Sequence, residues 1–173
     1  MKNKNTILVF AALFLLVVLS RGVSHLWNFT LVGGAFLFAG SYFKDKKVAI
    51  ALMLSSMLVS DYVIGFHNQM LSVYMAYAIV VAIGLLVPQG SARLKVLGYS
   101  FLGTLAFYLI TNFAVWYEGQ LYPQTLAGLI DCYVMGIPFY RNQLISDLVT
   151  SAALFEIAKH VFVEKTVAAK AKA

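Results

Sequence analysis

A single cysteine, Cys132, excludes an internal disulfide, a C-x-x-C redox pair and a cysteine-based zinc cluster. Three prolines and no Ser/Gly-rich tract leave neither a linker nor a second domain. Charge is scarce too, at 12% of 173 residues against the roughly 25% of a soluble domain. The chain carries no G-x-x-x-x-G-K-[ST], so it has no Walker-type nucleotide cradle and supplies no motor of its own. It also has no H-E-x-x-H, no pair of histidines at i, i+4, and no lysine in the middle of an apolar run to form a retinal Schiff base.

What fills the chain instead is apolar. Residues of the AVILMFWYC set make up 61% and the mean hydropathy is +0.83, the composition of an integral membrane protein. Six apolar runs, at about 6–23, 29–43, 47–61, 70–88, 96–117 and 140–162, approach the ~20 residues that cross a bilayer as a helix. The expected fold is an all-α membrane protein, a six-transmembrane-helix bundle. Residues 1–163 form one membrane domain, and 164–173 a basic cytoplasmic tail near anionic headgroups. The chain is expected to be a multi-pass membrane protein.

Positive charge sets the orientation. With the N-terminus inside, eleven of the thirteen Lys and Arg fall on the cytoplasmic side and only Arg21 and Arg141 lie outside, giving N-in/C-in. The net charge of +6 therefore reports topology, and no nucleic-acid partner is called for. Lys2 and Lys4 precede Ile7–Leu19 as in a signal peptide, but Arg21 stands where a cleavage region needs small neutral residues. The segment is expected to remain as the first span.

Polar residues gather in the outer connections. The first carries Arg21, His25, Trp27, Asn28 and Thr30; the second Asp61, Tyr62, His67, Asn68 and Gln69; the third Trp116, Glu118, Gln120, Tyr122, Asp131, Cys132, Arg141 and Asn142. Solvated loops with an aromatic belt of Trp27, Trp116 and Tyr122 would give some of this asymmetry; a binding cavity would give all of it. Two spans carry polarity inward. Gln143, Ser146, Asp147 and Thr150 form one stripe at i, i+3, i+4, i+7, and Ser100, Thr104, Tyr108 and Thr111 another, beside Asn112. A carboxylate within the bilayer requires a partner, so Asp147 is expected to meet Arg141 or Arg21. Glu156, Lys159 and His160 lie near the inner end, where an interfacial ion pair accounts for them.

Between spans five and six, Leu126, Leu129, Ile130, Tyr133, Val134 and Ile137 recur with helical period. A short extra helix over about 125–137 is expected at the outer face, capped by Thr125 and ended by Pro138, serving as a lid or an interfacial cover. Gly33, Gly34, Ala35, Ala39 and Gly40 give the second span small faces for close contact, expected within the bundle. His25, His67 and Asp61 are the possible elements of a metal site, yet two histidines on separate loops are more simply pocket residues, and no metal or cofactor is assigned.

The segments His25-x-x-Asn28-Phe29-Thr30, Ser60-Asp61 with Gly65-Phe66-His67, Thr111-Asn112-Phe113-x-x-Trp116, Tyr122-Pro123-x-Thr125-Leu126-x-Gly128-Leu129 and Pro138-Phe139-x-Arg141-Asn142 with Asp147 together point to a family. The chain resembles a family of small uncharacterised bacterial membrane proteins assigned to transport, which is similar to the S components of energy-coupling-factor (ECF) vitamin transporters. The resemblance implies a vitamin-like solute held in a pocket open to the outside, and a separate membrane scaffold with ATPase subunits as partner. S components dock through an alanine-x-x-x-alanine element in their first span; here Ala11 and Ala12 are followed four positions later by Leu15 and Leu16, and the element lies at Ala35-x-x-x-Ala39.

The expected function is non-enzymatic binding and uptake of a small nutrient. The expected substrate-binding residues are Arg21, His25, Asn28, Asp61, His67, Asn112, Trp116, Tyr122, Asp131, Cys132, Arg141 and Asp147. The alternatives are a membrane-embedded enzyme using Asp61, His67 and Cys132, and a ligand-free structural or assembly subunit. Convergence of Asn28, Asp61, Asn112, Arg141 and Asp147 on one cavity separates the first reading from the last.

Overall fold

The computed structural model describes residues 2–23, 28–43 and 45–163. Among them are six α-helices: α1 (Lys2–Gly22), α2 (Val32–Tyr42), α3 (Lys46–Ile64), α4 (Met70–Leu85), α5 (Arg93–Tyr117) and α6 (Leu126–Ala158), with a π-helical turn at Lys159–Val163. Three helical segments, Lys4–Gly22, Lys46–Ile64 and Arg93–Tyr117, are long and apolar enough to cross a membrane. α2 and α4 are apolar but shorter. His25, Trp27 and the tail 164–173 lie outside the described residues.

The order of the bundle centres on α2. It packs against each of the other five helices, and nine of its eleven residues, Val32 to Gly40, are buried. Glycine makes the closest contacts possible. At Gly40 and Gly84 the backbones of α2 and α4 touch: a Cβ on either would run into a main-chain carbonyl of the other helix, Val81 or Leu37. Gly34 lets α2 meet α6, where a Cβ would lie 2.6 Å from that of Thr150. The small faces are thus used inside the bundle, as in close helix pairs generally. Around them pack Phe36 on Tyr77 and Phe38 on Phe155, both edge-on with centroids 5.2 Å apart.

α6 corrects the expectation of a separate helix over 125–137. Thr125 caps the start as expected, its Oγ1 accepting from the Gly128 N–H at 3.1 Å, but the helix continues through Pro138 for 33 residues. Proline removes only its own N–H, and its φ suits a helix; the defect is tolerated where a neighbour supplies donors. α5 packs alongside this part of α6. The Tyr108 hydroxyl donates to the Tyr133 carbonyl at 2.5 Å, next to the Val134 carbonyl that Pro138 leaves without its helical donor. In return the Tyr133 hydroxyl donates to Leu109 O at 2.9 Å.

α2 also starts later than its apolar run. Asn28–Leu31 is not helical, and α2 spans only eleven residues, about 16 Å of rise. The chain therefore enters the bundle as irregular backbone before turning into a half-length helix.

Candidate functional site

At the end of the bundle where α1, α3 and α5 finish and α2, α4 and α6 begin, the distal end, the irregular segment borders two cavities. The larger, about 250 Å³, is lined by Arg21, Asn28, Thr30, Ile64, His67, Val73, Tyr77, Phe107 and Gln143. The smaller, about 160 Å³, is walled by the aromatic residues Phe107, Tyr108, Phe139 and Tyr140 together with Thr111 and Asn112. Asn28, Phe107 and Gln143 line both, so the two are chambers of one site. Asn28 holds a φ of +58°, in the left-handed region where a non-glycine side chain is uncommon and asparagine the most tolerated. An amide in that conformation between two chambers marks the position as selected for its side chain.

Behind the larger chamber lies an ion pair. Asp61 on α3 is fully buried, and Arg21 at the end of α1 brings Nη2 within 2.6 Å of its Oδ1. Arg21 Nη1 donates to Ser60 Oγ at 2.6 Å and lies 3.3 Å from Met57 Sδ. The Tyr74 hydroxyl donates to Asp61 Oδ2 at 2.6 Å, and His67 Nε2 stands 4.0 Å from Oδ1. The carboxylate thus fixes the guanidinium against the cavity wall without itself lining the cavity.

Asp147 corrects a second expectation, since its partner is no arginine. It accepts from the Gly34 N–H at 3.1 Å and from Thr104 Oγ1 at 2.8 Å, with the Gly33 N–H and the Gln143 side chain also reaching it. Gly33 and Gly34 belong to the first turn of α2, whose N-cap residue Leu31 provides no side-chain hydrogen bond. The first N–H groups of any helix lack intrahelical acceptors, and the positive end of its dipole favours an anion. A carboxylate from α6 supplies both in place of a local cap. Beside it, Ser146 Oγ donates to the Thr30 carbonyl, tying the irregular segment to the same helix. Gly33 has to be glycine because a Cβ would fall inside the Asp147 carboxylate, 2.6 Å from its Cγ.

The remaining expected residues divide clearly. Arg21, Asn28 and His67 line the larger chamber, and Asn28 and Asn112 the smaller; Asn112 Nδ2 donates to Tyr108 O at 2.9 Å. Asp61 and Asp147 stand behind the walls. Arg141 and Asp131 are exposed, and Tyr122 is half-buried, all outside both chambers. Trp116 donates from Nε1 to the carbonyls of Pro123 and Thr125 at 3.1 and 3.2 Å, so it closes the α5–α6 connection. The Cys132 thiol is buried and donates to Asn112 O at 3.2 Å. It lines neither chamber, whereas His67 lines the larger, and α3, which carries Asp61, contacts neither α5 nor α6 among the described residues. Gln143, the residue that joins the chambers, was legible only as the first member of a polar stripe. Tyr140 is one of the outer-end aromatic residues that suit a ring-bearing solute, whereas Phe107 and Tyr77 carry no signal that separates them from ordinary apolar positions.

No curated protein and no solved structure matches the chain. A family model does match, over residues 1–170, and the chain belongs to that family, the Family of unknown function (DUF6580).

Proposed function

We propose that this chain is a six-span, N-in/C-in protein of the bacterial inner membrane that binds a small solute in the distal cavity, which faces outward. It would act for uptake as an S component does, with a separate scaffold and ATPase subunits. One observation carries the reading: irregular backbone, Asn28–Leu31, stands at the buried start of a half-length helix and borders both chambers. Non-helical chain at membrane depth is tolerated only where protein buries it or a wet cavity receives it, and half-helices of this kind commonly build solute sites. Exposed Ile7, Leu8, Leu15 and Leu19 on α1, with Leu54, Leu58, Phe101 and Leu109 on α3 and α5, support lipid contact around the bundle.

Two measurements test the proposal. Single-cysteine labels at Lys46→Cys and Lys170→Cys are expected to react only from the cytoplasm, and one at Gln120→Cys only from outside. Reaction of the Gln120 label from the cytoplasm would invert the cavity and remove an uptake role. In native mass spectrometry the purified chain is expected to carry a small molecule, and Asn28→Gly to lose it. Glycine keeps the positive φ while deleting the amide, so loss of the molecule with unchanged thermal stability assigns the site. Equal retention by both proteins places the molecule away from Asn28 and overturns the distal site, and no bound molecule in either argues for the ligand-free structural subunit.

A further inference from the structure

The chambers differ in chemistry, and the difference names a class of ligand. Resting on the solute-binding reading, we infer that the site takes a ring-bearing organic acid, with its carboxylate in the larger chamber at Arg21 and His67 and its ring in the smaller chamber beside Tyr108, Phe139 and Tyr140.

The larger chamber presents donors. Its lining offers a guanidinium, an imidazole, the amides of Asn28 and Gln143 and the Thr30 hydroxyl, and it includes no carboxylate. The two nearby acids are withdrawn: Asp61 is 0% exposed and engaged by Arg21 and Tyr74, and Asp147, 3% exposed, is engaged by the start of α2 and Thr104. A guanidinium has five N–H donors, and the contacts to Asp61, Ser60 and Met57 leave part of that set on the cavity side. Its orientation is already fixed from behind, so little further ordering is needed to receive a carboxylate. A cationic ligand would find no acidic group on these walls.

The smaller chamber presents ring faces. Tyr108 and Tyr140 lie with centroids 4.7 Å apart at 41°, Tyr133 packs on Tyr108 at 5.5 Å, and Phe107 and Phe139 join Tyr108 and Tyr140 in lining the chamber, an aromatic wall against which a ligand ring can pack. Because Asn28, Phe107 and Gln143 belong to both chambers, one molecule with a short chain between ring and acid reaches both. The neutral chemistry of the smaller chamber makes it the unfavourable place for the charged end.

The test uses the purified full-length chain in detergent and four probes: 3-phenylpropanoate, its amide 3-phenylpropanamide, 3-phenylpropylamine and propanoate. By titration calorimetry the ring-bearing acid is expected to bind at least about tenfold more tightly than the amide, the scale of one charge-assisted hydrogen bond, with the amine weakest. Propanoate, lacking the ring, is expected to fall by a similar factor. In Arg21→Gln/Asp61→Asn, where both charges go together, acid and amide should become equal; in Tyr140→Ala, the acid should lose its advantage over propanoate. The ranking in the unaltered protein needs no variant to fold. An amide or amine that binds as well as the acid overturns the inference, as does failure of all four probes. A neutral or cationic co-purifying solute that Asn28→Gly loses would also overturn it while leaving the solute-binding reading in place.

Discussion

Arg21→Gln is expected to destabilise the protein by about 3–5 kcal/mol, the usual cost of removing one partner from a buried ion pair. The asymmetry of burial sets the size. Asp61 is completely enclosed, and without the guanidinium it keeps the Tyr74 hydroxyl at 2.6 Å and an imidazole 4.0 Å away, too little for an ionised carboxylate in an apolar setting. Asp61→Asn should cost less, because Arg21 retains Ser60 Oγ and its side chain, 12% exposed, reaches water through the cavity. The double variant, with two neutral amides that can bond to each other, should be more stable than Arg21→Gln alone. The comparison is made by thermal unfolding in detergent. Simple addition of the two single effects would mean that the contact does not hold α1 to α3.

Gly33→Ala is expected to cost about 3 kcal/mol, from overpacking together with loss of a helix cap. The added methyl group displaces the Asp147 carboxylate, so the Gly34 N–H and Thr104 lose the acceptor now at 3.1 and 2.8 Å. Asp147→Ala removes the same acceptor by another route and leaves buried donors unpaired, at about 1–3 kcal/mol for each such group. The two changes share one cause, and the smaller side chain at 147 makes room for the larger one at 33. Gly33→Ala/Asp147→Ala should therefore be no less stable than Asp147→Ala alone. If the double variant instead loses the sum of both, the carboxylate is not the cap of α2.

These sites show what a one-dimensional reading contains. Apolar runs locate all six helices, because lipid and core alike select long unbroken stretches of such residues. The division of α6 at Pro138 fails because proline interrupts only one helical hydrogen bond, and α6 is held on α5 by tertiary contacts that do not figure in a local pattern. The same holds for Asp147. Its burial follows from the stripe with Gln143, Ser146 and Thr150, all of them buried, but its charge suggested a partner of opposite sign where the structure uses the start of a helix 113 residues away in sequence. Arg21 and Asp61 are both visible as polar outliers, and their pairing across 40 residues is decided by how α1 packs on α3. Arg141 and Asp131, exposed on α6, line neither chamber: charge on a helix is an ordinary surface feature unless the fold turns it inward.

The central position of α2 bears on the order in which the chain assembles. A segment of eleven residues is too short to be held across a bilayer by its own transfer free energy, and the acceptor for its first amides belongs to α6, the last of the described α-helices in chain order. Its glycine contact with α4 likewise exists only after α4 has been synthesised. The contacts that fix α2 are therefore complete only after more than a hundred later residues have emerged. The cavity it borders, walled by Phe107 of α5 and Gln143 of α6, is complete only once those two helices have packed against it.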